Sequence, residues 1–246
     1  MTVPAAALYD VIEATWPAAT SARIGPFTIR DGAGGGKRVS AATAEAEVTP
    51  DDLPFAETAM RALGQSPLFM IRDGQAALDT LLAAQGYDMI DPVNIYLAPV
   101  APLAGADMPR VATFTIWEPL QIMRDIWAAG GVGAARVAVM ERATCPKTGL
   151  FGRHDNRPSA AGYVGLHNGI AMVHALEVLA RDRRLGLGRL MMLRAARWAQ
   201  ENGAGQIAVI CTQANEAANA LYAGMGFAHV GQYHYRITQG GQDAPE

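Results

Sequence analysis

The chain has 246 residues, half of them hydrophobic and 17% charged, with a formal net charge of −3. That composition excludes a disordered chain, and the slight acidic excess argues against nucleic acid as a partner, since its binders carry a basic face. Cys145 and Cys211 lack metal-ligand spacing, so no metal site is expected, and two thiols in a chain this long suit a reducing compartment.

The opening stretch MTVPAAALYDVIEATW has no basic region and no long apolar core, so it does not read as a secretory leader. No apolar run reaches the roughly 18 residues a membrane span requires. A cytoplasmic protein with no membrane partner is the expectation. PFTIRDGAGGGKRVSAAT predicts two short strands about a glycine-rich turn. The turn is no phosphate loop, because Arg38 follows Lys37 where that motif needs Ser or Thr. DDLPFAETAMRAL predicts a helix with Asp51 or Asp52 as cap, PLFMI a strand, GQAALDTLLAAQGY a helix closed by Gly86, and VNIYLAPV a strand. Three prolines in LAPVAPLAGADMP suggest a linker over 99–109, dividing a domain 1–98 from a domain 110–246.

Beyond it, Leu120, Ile122, Met123, Ile126 and Trp127 recur at helical spacing and stop at two glycines. ARVAVMERA reads as a strand and 144–160 as a polar loop. AGYVGL and IAMVHALEVLA read as strands paired about the tight turn at Asn168-Gly169. A helix over about 186–201, a strand QIAVICT, a helix over about 215–224 and a last strand through HVGQYHYRI complete the chain. Strands interleaved with helices imply an α/β or α+β fold around a central sheet.

RDRRLGLGRL, residues 181–190, sets bare backbone and positive charge where a strand gives way to a helix. Free N–H groups at a helix start suit an anion. A dinucleotide fingerprint would need glycine or alanine where Met191 stands, so that reading falls. The segment Arg183-Arg184-Leu185-Gly186-Leu187-Gly188 after LEVLA resembles the acyl-CoA signature of the GNAT superfamily of N-acetyltransferases, Arg/Gln-x-x-Gly-x-Gly/Ala. NEAANALYAGMGF matches the superfamily's second element at Asn215, Ala218, Leu221, Tyr222, Gly226 and Phe227. The likeness covers roughly 110–236, and YHYR at 233–236 resembles a tandem subgroup.

The resemblance implies a GNAT acyl-CoA N-acyltransferase fold: a mixed, mostly antiparallel sheet flanked by helices, preceded by a smaller degenerate GNAT-like domain. It implies an acetyl-CoA-dependent N-acetyltransferase that moves an acyl group to a primary amine by direct attack in a ternary complex. On that reading the amides of Arg184, Leu185, Gly186, Leu187, Gly188 and Arg189 ring the pyrophosphate. The side chains of Arg183, Arg184 and Arg189 reach toward phosphate, and the pantetheine arm lies along Leu176 and Val178 where that strand splays from its neighbour. Asn215 joins the cofactor set, and Tyr222 protonates the leaving thiolate. Glu177 and His174 are the two candidate bases. Residues of odd and even number face opposite sides of a regular strand, so both reach one cleft only across a bulge.

ALDTLLAAQGYDMI aligns with AANALYAGMGFAHV at a spacing of 140, with Leu82 at the position of Tyr222 and no glycine cradle near residue 43. The first half therefore resembles a GNAT-like copy that has lost its cofactor site. The competing reading is a non-catalytic acyl-CoA sensor. The acceptor, a small-molecule or peptide amine, is not written in these residues, and neither is a homodimer.

Overall fold

The computed structural model describes residues 3–109 and 112–238. Position 110, where the second domain was expected to begin, and residues 239–246 lie outside the described residues. Contacts group the chain into two units, each built from separate stretches. Of the described residues, the first takes 3–17, 95–109, 112–211 and 215–230; the second takes 18–94, 212–214 and 231–238. The expected boundary at 99–109 does not coincide with this division. The proline-rich stretch is not an extended connection: a strand runs through Pro99 and a helix follows at Val100–Ala104, with Val100, Leu103 and Ala104 buried.

In chain order the elements are α1 (Ala5–Thr15), β1 (Thr20–Ile24), β2 (Phe27–Asp31), α2 (Lys37–Ser40), β3 (Thr43–Ala44), α3 (Leu53–Ala62), β4 (Leu68–Arg72), α4 (Ala76–Ala84) and β5 (Tyr87–Pro99). There follow α5 (Val100–Ala104), β6 (Thr113–Ile116), α6 (Gln121–Ala129), α7 (Ala134–Arg142), β7 (Lys147–His154), β8 (Arg157–His167) and β9 (Ile170–Val178). The chain ends with α8 (Leu187–Glu201), β10 (Gln206–Thr212), α9 (Glu216–Gly224) and β11 (Ala228–Thr238). A mixed sheet runs in the order β4-β11-β5-β10-β9-β8-β7-β6, and β1-β2-β3 form a small antiparallel sheet. Where registers are given, only β9 and β10 pair parallel. The expected mixed, mostly antiparallel sheet flanked by helices is present.

In the first unit β6, β7, β8 and β9 form an antiparallel meander. The turn at Asn168 and Gly169 takes φ of 48° and 74°, as the Asn-Gly pair predicts. Residues 144–160 are not a loop. Most of them form the β7–β8 hairpin, turned at Asp155 and Asn156 with φ of 48° and 60°. Glycines hid β7 from composition: a Cβ at Gly149 would stand 2.7 Å from the Ile116 carbonyl oxygen, and one at Gly152 2.8 Å from Met191 Sδ. ARVAVMERA is helix α7 rather than a strand, with Val137, Val139 and Met140 buried. Lys147 Nζ then donates to the carbonyls of Met140 and Ala143 at 2.8 and 2.6 Å, closing the helix C-terminus with a cation.

Helix α8 buries Met191, Met192, Ala195 and Ala199 against Leu150, Val164 and Val173. The opposite face of β8 and β9 is covered by α1, with Thr15 and Trp16 against Tyr163 and His174.

The second unit packs Met60, Leu82 and Tyr87 onto Phe27, Phe69 and Ile71. Lys37 is buried and ion-paired with Asp91, so the lysine of the glycine-rich turn serves the fold and not a phosphate. Asp79 accepts from Arg236 Nε and lies against His234 Nε2, each at 2.7 Å. The Arg236 bond holds the Asp79 carboxyl below its ordinary range against the opposing effect of burial, with His234 assisting. A depressed carboxylate stabilises the fold above its unfolded pKa and loses that contribution as pH falls through the folded value. Asp79→Asn should therefore lower the urea midpoint at pH 7, and the gap to wild type should close as pH drops below the ordinary aspartate range.

Candidate active site

The site is built where β9 departs from regular pairing. Ala161 opposes Glu177 and Tyr163 opposes His174, so Gly162 alone faces Ala175 and Leu176. This is a β-bulge, with Ala175 at φ 49°. The extra residue restores the facing of Glu177 to that of His174, because their partners on β8 are two apart. Trp127 of α6, fully buried, donates its indole N–H to the Ala175 carbonyl at 2.9 Å. Beyond the bulge β9 and β10 part company. Their ladder runs from Ile170–Gln206 to Val173–Val209 and stops, although β9 continues to Val178 and β10 to Thr212.

Beside the bulge lies a cavity of about 350 Å³. Ile126, Ala129 and Gly130 at the end of α6 form one wall, Glu177 and Val178 another, and Arg181 and Arg183 complete it. Burial raises the Glu177 carboxyl above its ordinary range, while Arg183 and Arg136 pull it partly back. His174 has a different fate. It is 3% exposed, its Nε2 lies 2.8 Å from Thr15 Oγ1, and its ring stands 5.0 Å from that of Trp16. It does not line the cavity.

After β9 a single turn, Ala180–Asp182, leads through Arg184 at φ 62° and Gly186 at φ 80° into α8. Among the described residues, no protein acceptor meets the amides of 184 to 189. The two glycines serve different ends. Gly186 supplies a left-handed conformation with open space around it, whereas a Cβ at Gly188 would press within 3.2 Å of Leu221 on α9. Arg184 and Arg189 are exposed. Arg183 turns back instead, its Nε donating to the Val178 carbonyl at 3.0 Å. Asp182, the one acid among residues 181–190, is buried with its carboxylate 3.3 Å from Arg181.

Residues 122–227 match the model of the Acetyltransferase (GNAT) family. The chain therefore carries a GNAT acetyltransferase domain over these residues, which supports an N-acetyltransferase. It is 27% identical over 242 residues to an uncharacterized N-acetyltransferase, YobR, of Bacillus subtilis, a match spanning 92% of this chain and 95% of that protein. A solved GCN5-related N-acetyltransferase from Kribbella flavida superposes with a TM-score of 0.74 at 17% identity, covering 96% of each chain. A tandem GNAT protein from the clavulanic acid biosynthesis pathway superposes with a TM-score of 0.63 at 14% identity, covering 97% of this chain and 88% of that one. Both share the fold.

The remaining residues expected in the GNAT site fall around the splayed strands. Leu176 and Val178 are half-buried and pack on the α8 core. Asn215 caps α9, its Oδ1 accepting from the Ala218 amide at 3.1 Å. Tyr222 is buried, with its ring 5.9 Å from those of Tyr96 and Phe227. Burial, then Cys211 and Glu177, push its hydroxyl well above the ordinary phenol range, so it stays protonated.

The sequence reading missed Trp127 and Tyr96. Trp127 stood out only as one apolar residue of a helix, and its bond to Ala175 depends on a bulge that no local pattern announces. Tyr96 donates to Asn219 Oδ1 at 2.8 Å and buttresses the Tyr222 ring. Trp127→Phe should keep the packing but orphan the Ala175 carbonyl, lowering stability by about 1–3 kcal/mol in urea unfolding.

Proposed function

We propose that the protein transfers an acetyl group from acetyl-CoA to a primary amine by direct attack in a ternary complex. The observation that carries this reading is the run of unengaged amides at residues 184–189, entering α8 beside a cavity that holds a half-buried carboxyl. Successive N–H groups in a turn, at a helix start and among arginines, suit a pyrophosphate. Bound acetyl-CoA would supply a thioester carbonyl and a thiolate leaving group. Val178 would offer its backbone to the pantetheine arm, which requires Arg183 to release the Val178 carbonyl and frees that guanidinium for phosphate. Leu176 would lie along the same arm. Asn215 would reach the arm only by giving up its capping bond.

Glu177 takes the proton from the attacking amine. Burial matches its basicity to that task, since a raised carboxyl is a stronger base. A backbone N–H of 176–178 meets the charge developing on the carbonyl oxygen. Tyr222, protonated and in electrostatic reach of Glu177, donates to the departing sulfur. His174 is left out of the mechanism, because its Nε2 is committed to Thr15.

The unit containing residues 18–94 is proposed as a GNAT-like half without a cofactor site. Helices α4 and α9 share bounds at the 140-residue spacing, and Gly86 and Gly226 follow them at φ of 81° and 84°. The start of α3 is hostile to phosphate. Asp52 Oδ2 already accepts from the Thr49 amide at 2.8 Å, and Asp51 stands beside it. No helix among the described residues is long and apolar enough to cross a membrane, and neither Cys145 nor Cys211 is in a disulfide. We place the protein in the cytoplasm, acting on a small-molecule or peptide amine.

The test is release of free thiol from acetyl-CoA across a panel of primary amines. Tyr222→Phe should lower kcat by about 10-fold to 100-fold. The wild-type kcat/KM should rise with pH through a midpoint above the ordinary carboxylate range, because the base works deprotonated. Glu177→Gln should abolish that limb. Tight acetyl-CoA binding with no amine-dependent thiol release would make the protein a sensor and refute the transferase mechanism.

A further inference from the structure

Two glycines close α6, and they are glycine for different reasons. Gly131 sits at φ 85°, a conformation that strains any L side chain, with open space around it. Gly130, the C-cap, sits at φ −93° and ψ 6°, which any residue can adopt. Its backbone does not call for glycine, but its surroundings do. A Cβ at Gly130 would stand 2.4 Å from both Cδ and Oε2 of Glu177 and 2.7 Å from its Cγ. The carboxyl of Glu177 therefore rests on bare backbone at the carbonyl end of α6, where the helix dipole is negative. Both residues line the same cavity.

We propose that Gly130 is a positioning residue for the acetyl transfer: its missing side chain is the seat that holds the Glu177 carboxyl toward the cavity. The proposal rests on the reading of Glu177 as the base. The charged and titratable groups around that carboxyl are Arg136 of α7 and Arg183 of the loop after β9, which pull on it, Tyr222 of α9, which is coupled to it, and Arg181, which lines the same cavity. All four are unchanged by substitution at Gly130, so a change in the titration of Glu177 reports its displacement. A methyl at 130 would push the carboxyl off its seat. Aspartate at 177, one methylene shorter, would clear the methyl.

The experiment compares Gly130→Ala, Glu177→Asp and the double variant by thiol release from acetyl-CoA, using the amine turned over fastest in the panel. The titration of the Glu177 carboxyl is followed by ¹³C NMR and identified by its disappearance in Glu177→Gln. Gly130→Ala should lower kcat by ~10-fold or more, leave KM for acetyl-CoA unchanged, and move the titration down toward the ordinary carboxylate range. In the Glu177→Asp background the same methyl should cost little, giving a clear non-additivity. Gly131→Ala, which adds strain without obstruction, should lower Tm while leaving the pH profile in place.

A Gly130→Ala enzyme with wild-type kcat, pH profile and titration overturns the proposal. So does strict additivity with Glu177→Asp, or a Gly131→Ala variant that reproduces the kinetic effects. Failure of the base assignment is distinguishable: Glu177→Gln would then keep the wild-type rate and limb. A crippled Glu177→Gln beside an unaffected Gly130→Ala would sink the seat alone.

Discussion

The hydrogen bond from the Trp127 indole to the Ala175 carbonyl is the constraint on which the proposed site hangs. A bulge leaves ladder groups without strand partners, and a buried carbonyl left unpaired is costly. By satisfying it from α6, the fold makes the bulge a stable feature of β9 and ties the helix to it. The bulge returns Glu177 to the face that carries α6, and it sits where the ladder to β10 ends. One residue of extra chain thus sits where the parallel strands part and turns a carboxyl into the cavity beside it.

The electrostatics of the two ends of the site are opposed, as the proposed chemistry asks. At the start of α8 the free amides and arginines favour a polyanion, and the single nearby acid is held against Arg181. In the cavity a carboxyl is desolvated and kept basic, while the Tyr222 hydroxyl is desolvated and kept protonated. Burial moves both groups upward, and that shift suits one to accept a proton and the other to give one. The start of α3 shows what a phosphate site must not have, with Asp51 and Asp52 at the helix entrance and an amide already taken.

Much of this was legible in local pattern. The helices at 187–201 and 216–224, the Asn168-Gly169 hairpin and the basic, glycine-bearing entry to α8 depend on residues close in sequence, where period, capping and turn chemistry act directly. Elements whose character comes from distant neighbours were misread. Strand β7 needs Gly149 and Gly152 because Ile116 and Met191 crowd them, so its composition imitates a loop. Helix α7 carries alternating valines that imitate a strand, yet the segment is helical and buries Val137, Val139 and Met140 together. The prolines at 99 and 102 suggested an exposed connection where α5 in fact joins the core.

By itself the sequence determined where an anion could be received, because a helix entrance with glycine and arginine owes its properties to consecutive residues. It also named Glu177 and His174 as the only acid and imidazole on that strand, without saying which one the cleft would take. Tertiary structure decided between them. A bulge, the partner of its carbonyl and the hydroxyl of Thr15 all belong to other segments, and only folding brings them to β9. Which carboxyl is desolvated and which imidazole is already bonded is a property of neighbours in space, and no spacing along the chain encodes it.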